Sequence, residues 1–265
     1  MFTPMAHKPP LGAQIDWSNP ITNGLTNCFL FNEQQGNAVQ DLVNPVSCPF
    51  AGATSPIWNT STPRVEFTQN TSTYVDLSGA RGITSFGAAC SIEMLFYWPS
   101  LMKDKAFFMW DLSTSWKCGY VLNAAAPLWY TRTTTNATLS GTAATVLSGV
   151  MNHTVFTWDG SIKTVYINGR LYASDAPAHG AGILYLAGCN NIRIGCAGDY
   201  ASEGFSVYLF RTWARPLDAV DVATLYYQPY AMFNRKPAWM AYTAPPVGTE
   251  YRMIYHNHYQ QMRMV

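Results

Sequence analysis

The stretch His153–Ala173, HTVFTWDGSIKTVYINGRLYA, sets the tightest limit on what this chain can become. Three runs rich in Val, Ile, Thr, Tyr, Phe and Trp are separated by Asp159-Gly160 and Asn168-Gly169. Both dipeptides supply the positive φ that a tight turn of the right twist needs, so they predict a three-stranded meander. Alternation predicts that Val155, Thr157, Val165 and Ile167 share one face and that Phe156, Trp158 and Tyr166 share the other. An apolar sheet face is stable only beneath a second layer. The expected fold is therefore an antiparallel β-sandwich.

The rest of the chain can supply that layer. At 265 residues it is long enough for one large β-domain or two small ones, with a sizeable core. Hydrophobic residues make up 48% and charged residues only 12%, about half the usual charged share. Few charges and many aromatics suit strands and contact surfaces. The net charge of +1 provides no field to attract nucleic acid or anionic lipid, and no basic stripe is visible. Nucleic-acid and membrane partners are therefore not expected. No segment approaches the ~18 apolar residues of a transmembrane helix. The opening MFTPMAHKPPLGAQIDW lacks the basic start and apolar run of a signal peptide, so synthesis in the cytoplasm is expected. In a Thr-rich chain the sequons at Asn59, Asn70, Asn136 and Asn152 read as chance.

The six cysteines, Cys28, Cys48, Cys90, Cys118, Cys189 and Cys196, contain no C-x-x-C pair. Zinc ligation is unsupported, and buried free thiols acting as small apolar residues are expected.

Along the chain, residues 1–24 carry Pro4, Pro9, Pro10 and Pro20 and read as an extended arm without helix. Strands are expected at 27–32, 64–67, 73–77, 90–98, 106–110, 119–123, 128–135 and 142–147, then through the meander, and finally at 183–187, 191–195 and 204–213. Residues 36–63 read as loop. In the last strand Phe205, Val207 and Leu209 alternate with Ser206, Tyr208 and Phe210. One helix follows. Pro216 suits its first turn, Asp218 and Asp221 suit its positive end, and Val220, Ala223, Thr224 and Tyr227 fall on one face. Pro229 stops it. Residues 231–265 hold four Lys/Arg and one acid, giving +3 against −2 for the remainder, and show no core periodicity. The expected organisation is an N-terminal arm at 1–24, a β-domain at 25–229 and a C-terminal extended arm at 230–265.

Several motifs in this order resemble the laminin-G-like, concanavalin A-like jelly roll. Phe67, Tyr74 and Val75 match its F-D-G-x-x-x-Y-V strand. His153, Val155, Thr157, Asp159 and Gly160 match W-x-H-V-A-x-T-x-D-G, and Tyr166, Asn168 and Gly169 match Y-x-N-G. Arg215, Leu217, Leu225 and Tyr226 match the terminal R-x-L-x-x-x-E-I-x-x-L-Y. The resemblance covers most of residues 25–228 and implies an all-β jelly roll with one short C-terminal helix. The ends, KPPLGAQIDWSNPITNGLTNCFLFNEQQGN and LYYQPYAMFNRKPAW, are similar to the version of this fold found in tailed-phage and prophage gene sets. That similarity implies a virion-associated protein, such as a head decoration or a lectin-like tail part.

Laminarinase-like members of this fold cleave glycans with an E-x-D-x-x-E strand, and a retaining mechanism needs two carboxyls ~5–5.5 Å apart. The matching strand here, Ser91-Ile92-Glu93-Met94-Leu95-Phe96, has Glu93 followed by apolar residues. Glu93 therefore reads as a solvent-facing strand residue, and no catalytic residue is assigned. No G-x-S-x-G elbow supports a nucleophile. His153 reads as a side chain tying its strand to a loop, and His256 and His258 as a solvated or interface pair. Calcium is a cofactor that the resemblance allows, with Asp76, Asp199 and Glu203 as candidate loop ligands; otherwise no cofactor is expected. Trp58, Trp116, Trp129, Tyr130 and Tyr200 occupy loop-like or strand-end positions suited to stacking on a pyranose. Equally, such rings cap sandwich ends or fill interfaces. Arg235, Trp239, Tyr242, Tyr251, Tyr255 and Tyr259 are the assembly candidates of the C-terminal arm. The expected function is that of a non-enzymatic virion structural protein decorating a capsid or attached to a tail. It would form a homo-oligomer and contact other virion proteins through its arms. A lectin-like adhesin for bacterial surface polysaccharide is the alternative, and a glycan hydrolase a third.

Overall fold

The computed structural model describes residues 8–68, 73–80, 89–99, 105–112, 115–123, 126–132, 136–140, 147–175, 191–195 and 204–233. The chain divides into two units, Met1–Phe233 and Asn234–Val265, and the second lies outside the described residues.

The first unit is an antiparallel sandwich of two eight-stranded sheets. In chain order the strands are β1 (Leu25–Phe29), β2 (Ala38–Gln40), β3 (Ser47–Gly52), β4 (Ile57–Asn59), β5 (Arg64–Phe67), β6 (Thr73–Asp76), β7 (Cys90–Trp98) and β8 (Lys105–Leu112). They continue with β9 (Ser115–Asn123), β10 (Ala126–Arg132), β11 (Asn136–Ser140), β12 (Val150–Trp158), β13 (Lys163–Ile167), β14 (Arg170–Asp175), β15 (Asn191–Ile194) and β16 (Phe205–Trp213). Among the described residues one α-helix, α1, spans Ala219–Tyr227. The first sheet runs β14-β13-β12-β7-β16-β5-β4, with β1 pairing the far end of β16. The second runs β11-β10-β9-β8-β15-β6-β3-β2.

The meander forms, but its two turns differ. Asn168 (φ 50°) and Gly169 (φ 76°) both take positive φ, as a two-residue turn of this twist requires. The first turn is longer. Trp158 pairs with Lys163, so Asp159–Ile162 make a four-residue connection in which the Asp159 carboxylate accepts from the Ser161 and Ile162 amides. The register also corrects the expected faces. Phe156 sits opposite Val165 and Thr154 opposite Ile167, so Val165 and Ile167 share a face with Phe156 and Trp158. That face lies in the core between the sheets, with Ile92, Met94, Phe96 and Phe210 from the first sheet and Val75, Ile192 and Ile194 from the second.

The first sheet is also covered on its outer side. Ile15, Ile21, Leu217, Val222, Leu225, Tyr230, Met232 and Phe233 pack there against Leu95, Val155, Leu209 and Trp213. The central strands β7 and β16 are therefore buried along both faces. A bulge between Val207 and Leu209 resets the alternation of β16. Phe205, Val207 and Phe210 face the inter-sheet core, whereas Tyr208, Leu209 and Trp213 face outward, so the regular alternation expected for this strand fails at the bulge.

Residues 8–24 lie in this outer layer. Their one helical turn is a 3-10 turn, Pro20–Thr22, capped by Asn19, so the proline-rich segment is not wholly extended. Ile15 bridges Phe233, the Asp16 amide donates to Met232, and the Asn19 side chain donates to the Ala231 carbonyl. Tyr230, Met232 and Phe233 thus belong to the buried core rather than to an arm.

Three short strands, β2, β3 and β4, occupy the region read as loop. The first strand sits at 25–29 rather than 27–32. Strand β11 at 136–140 was not expected, and the strands expected at 142–147, apart from Leu147, and at 183–187 lie outside the described residues. Helix α1 starts later than expected. Asp218 is its N-cap, accepting from the Val220 and Asp221 amides, and Pro216 precedes the cap. Its buried residues are Val222 and Leu225, whereas on the face read at Val220, Ala223, Thr224 and Tyr227 both Val220 and Tyr227 are exposed.

Candidate functional site

The residues with the most chemical potential converge on the outer face of β12, β7 and β16. Glu93 stands opposite Val155 on one side and opposite Arg211 on the other. Arg211 grips its carboxylate at two points, with Nε to Oε2 at 2.6 Å and Nη2 to Oε1 at 2.8 Å. His153 Nε2 lies 2.8 Å from the same Oε1. Arg211 and Glu93 are fully buried and His153 nearly so. The Arg211 Nη1 donates to the Met232 sulfur at 3.3 Å, and the Trp213 ring lies near the guanidinium.

Burial alone would raise the Glu93 carboxyl, but the guanidinium and the imidazole hold it below the ordinary carboxylate range. Glu93 is thus an ionised acceptor with its lone pairs engaged. It is not the solvent-facing residue expected from alternation, because the outer face of β7 is itself covered. His153 differs too. Its side chain goes to Glu93, and its backbone ties the strand to the turn: the His153 amide donates to Asn168 Oδ1 and the Asn168 amide donates to the His153 carbonyl. The imidazole Nδ1 is buried without a hydrogen-bond partner, and the Tyr226 ring lies 5.8 Å from the imidazole.

This cluster is poorly placed for glycan chemistry. The strand contributes one carboxylate, that carboxylate is neutralised, and neither bulk water nor a sugar ring reaches it. A general acid needs a raised pKa and a partner carboxyl across a substrate. Glu93 has the reverse shift and an arginine.

Other matching motifs are structural as well. Ser91 Oγ donates to the Arg215 carbonyl and accepts from the Leu217 amide. Arg215 donates to Asp221 at 2.6 Å and to the Asn23 carbonyl at 2.7 Å, linking helix, strand and N-terminal segment. Tyr226 packs against Gly169, where any Cβ would meet its ring at 2.8 Å. The half-buried Lys8 donates to the carbonyls of Phe31, Pro63 and Tyr208. Burial pushes its amine down to about 7, with Glu33 opposing the shift.

The aromatic candidates are dispersed. Trp58 lies on the edge strand β4 rather than in a loop; its Nε1 donates to the Gly36 carbonyl at 2.8 Å and its ring sits 5.2 Å from Phe50. Trp116 falls on β9, and Trp129 and Tyr130 fall within β10 rather than at its ends. Tyr200 lies outside the described residues. Of the calcium candidates, Asp76 ends β6 and accepts from the Ser78 amide. Asp199 and Glu203 are outside the described residues, as are Arg235, Trp239, Tyr242, Tyr251, Tyr255, Tyr259 and the histidine pair. Among the described residues no group of three or more His, Cys, Asp or Glu is placed to hold a metal ion.

The family model of the concanavalin A-like lectin/glucanases superfamily matches residues 69–223. The chain belongs to that superfamily. Within it, solved structures of similar fold have low identity. The binding domain of Paraclostridial Mosquitocidal Protein 1 superposes with a TM-score of 0.61 at 15% identity, covering 78% of this chain and 52% of that one. The binding domain of botulinum neurotoxin serotype D gives 0.59 at 13%, covering 78% and 52%. Trypanosoma rangeli sialidase in complex with the inhibitor DANA gives 0.57 at 13%, covering 75% and 32%. This chain therefore spans about half or less of the proteins it resembles. No curated protein matches it. The superfamily holds both binding domains and glycosidases, so membership alone does not decide between them.

Proposed function

We infer that this chain is a non-catalytic attachment module of a tailed-phage virion: a concanavalin A-like sandwich that decorates the capsid or joins the tail. The observation that carries the non-catalytic half is the sealed Glu93–Arg211 pair, which occupies the strand where a glycanase would present carboxylates. The attachment half rests on the two ends, whose sequences resemble phage virion-associated proteins, and on the basic, aromatic composition of residues 234–265. Residues Arg235, Trp239, Tyr242, Tyr251, Tyr255 and Tyr259 are its assembly contacts.

The test is a truncation after Phe233, since an earlier cut removes the buried Tyr230, Met232 and Phe233. The expected product keeps β-sheet circular dichroism and a cooperative melt but no longer joins purified particles. Normal incorporation of that truncation refutes the role given to 234–265.

Trp58 favours a second reading, a glycan-binding adhesin. Its ring is held by a hydrogen bond and by Phe50, leaving a preorganised aromatic surface on an edge strand. Binding to bacterial surface polysaccharide that Trp58→Ala abolishes supports it; no binding across a broad glycan array by folded protein removes it.

A further inference from the structure

The first sheet changes partners at one point. Strand β16 pairs with β5 as far as Val207 and with β1 from Phe210 onward, and the bulge against β7 falls between Val207 and Leu209. Tyr208 therefore has no register partner on either side. Strand β1 ends at Phe29 and β5 begins at Arg64, so Phe31 and Pro63 flank the same gap. The carbonyls of all three residues converge on Lys8 Nζ, at 3.0 Å from Phe31, 2.6 Å from Pro63 and 3.1 Å from Tyr208. A protonated primary amine carries three N–H donors, and here each has an acceptor. The Tyr208 ring centroid lies 5.9 Å from the nitrogen. The Glu33 charge also acts on the amine, and Glu33 Oε2 is buried without a hydrogen-bond partner among the described residues.

This contact is fastened separately from the rest of the N-terminal segment. The Pro9 carbonyl accepts from Asn32. Pro10, Leu11 and Gly12 are then exposed in a turn closed by the Ala13 amide on the Pro10 carbonyl. Gly12 takes a φ of 79°, with nothing within 4 Å of where a Cβ would stand. The next anchor is the Ile15–Phe233 bridge.

We propose that the gap between β1 and β5 is a binding site for primary amines, read by their N–H donors, and that Lys8 is its tethered occupant. Carbonyls arriving from three elements need a nitrogen with donors in three directions, which a primary amine offers and a quaternary one does not. The inference stands apart from the virion reading, because the site belongs to the sandwich itself and would serve an adhesin equally.

Lys8→Ala deletes Cγ, Cδ, Cε and Nζ, which are the heavy atoms of n-propylamine. The experiment is calorimetric titration of n-propylammonium chloride into full-length wild type and Lys8→Ala. The variant is expected to bind with a Kd of about 1–10 mM, in keeping with so small a ligand. Its thermal midpoint should rise as the ligand is added. Wild type, with the site filled, should bind at least tenfold more weakly. Tetramethylammonium chloride at the same ionic strength carries the charge without the donors and should give neither effect. If Lys8→Ala does not fold alone, it is refolded in each salt. Recovery in n-propylammonium only supports the site, and recovery in neither, or equally in both, overturns it. A folded variant without saturable binding overturns it too. So does equal binding by wild type, or an equal response to tetramethylammonium, which would show that N–H donors are not what the gap reads.

Discussion

Glu93 and Arg211, neighbours across β7 and β16, meet as a two-point ion pair with both side chains sealed from solvent. Their separation of 118 residues makes the pair a clamp between the middle of the chain and its last strand. Removing one partner from a buried pair strands the other charge, at a cost of about 3–5 kcal/mol. Arg211→Met and Glu93→Met should each lower the urea midpoint accordingly. The double variant should be markedly more stable than the sum of the two, because no charge is left unpaired. Additive losses in the double-mutant cycle would show that the two side chains do not interact.

The same pair predicts acid sensitivity. The folded Glu93 carboxyl lies below its unfolded value, so its contribution is fully present above the ordinary carboxylate range. That stability is lost as pH falls through the folded value, since the unfolded chain then binds the extra proton. Glu93→Gln should flatten this part of the stability-versus-pH curve measured by denaturant titration. An unchanged acid limb would assign the effect to other carboxylates.

Much of the architecture is legible from local chemistry. The runs at 64–67 and 90–98 and the Asn168-Gly169 turn form where their residues say they should. What escapes is set by distant partners. Strands β2, β3 and β4 lie among Pro, Asn and Ser and form because β6 pairs with β3, β3 with β2 and β5 with β4. Glu93 escapes for a related reason. Alternation assigns one face of a strand to solvent, but CSIEMLFYW is nearly continuous in apolar residues, a pattern of burial on both sides. A lone acid in such a run requires a buried cation, and Arg211 in the equally apolar last strand is the signal that could have found it. The helix misleads in the opposite way: it has two apolar sides, and periodicity cannot say which one meets the sheet.

Thiol chemistry offers an independent check on the packing. Burial pushes the Cys28 and Cys48 thiols up to about 12, and raises Cys90 as well. All three are free and buried. Thiolate is the reactive form, so these positions should resist alkylation at neutral pH in the native protein and react rapidly in denaturant. Peptide mapping after iodoacetamide treatment would read this out. Native labelling of Cys28 or Cys90 would mean that the outer layer or the inter-sheet core opens readily.

The Gly169–Tyr226 contact explains why the turn glycine and the helix tyrosine recur as separate motifs. Gly169 needs its positive φ of 76° for the turn, and it needs its bare Cα because the Tyr226 ring occupies the space of a side chain. Gly169→Ala should therefore combine two penalties, backbone strain of about 1 kcal/mol and displacement of the ring. Tyr226→Ala removes only the second. In a double-mutant cycle followed by thermal unfolding, Gly169→Ala should cost less in the Tyr226→Ala background than in wild type, with the backbone part remaining. An equal cost in both backgrounds would leave strain as the whole effect and would detach the helix from the turn.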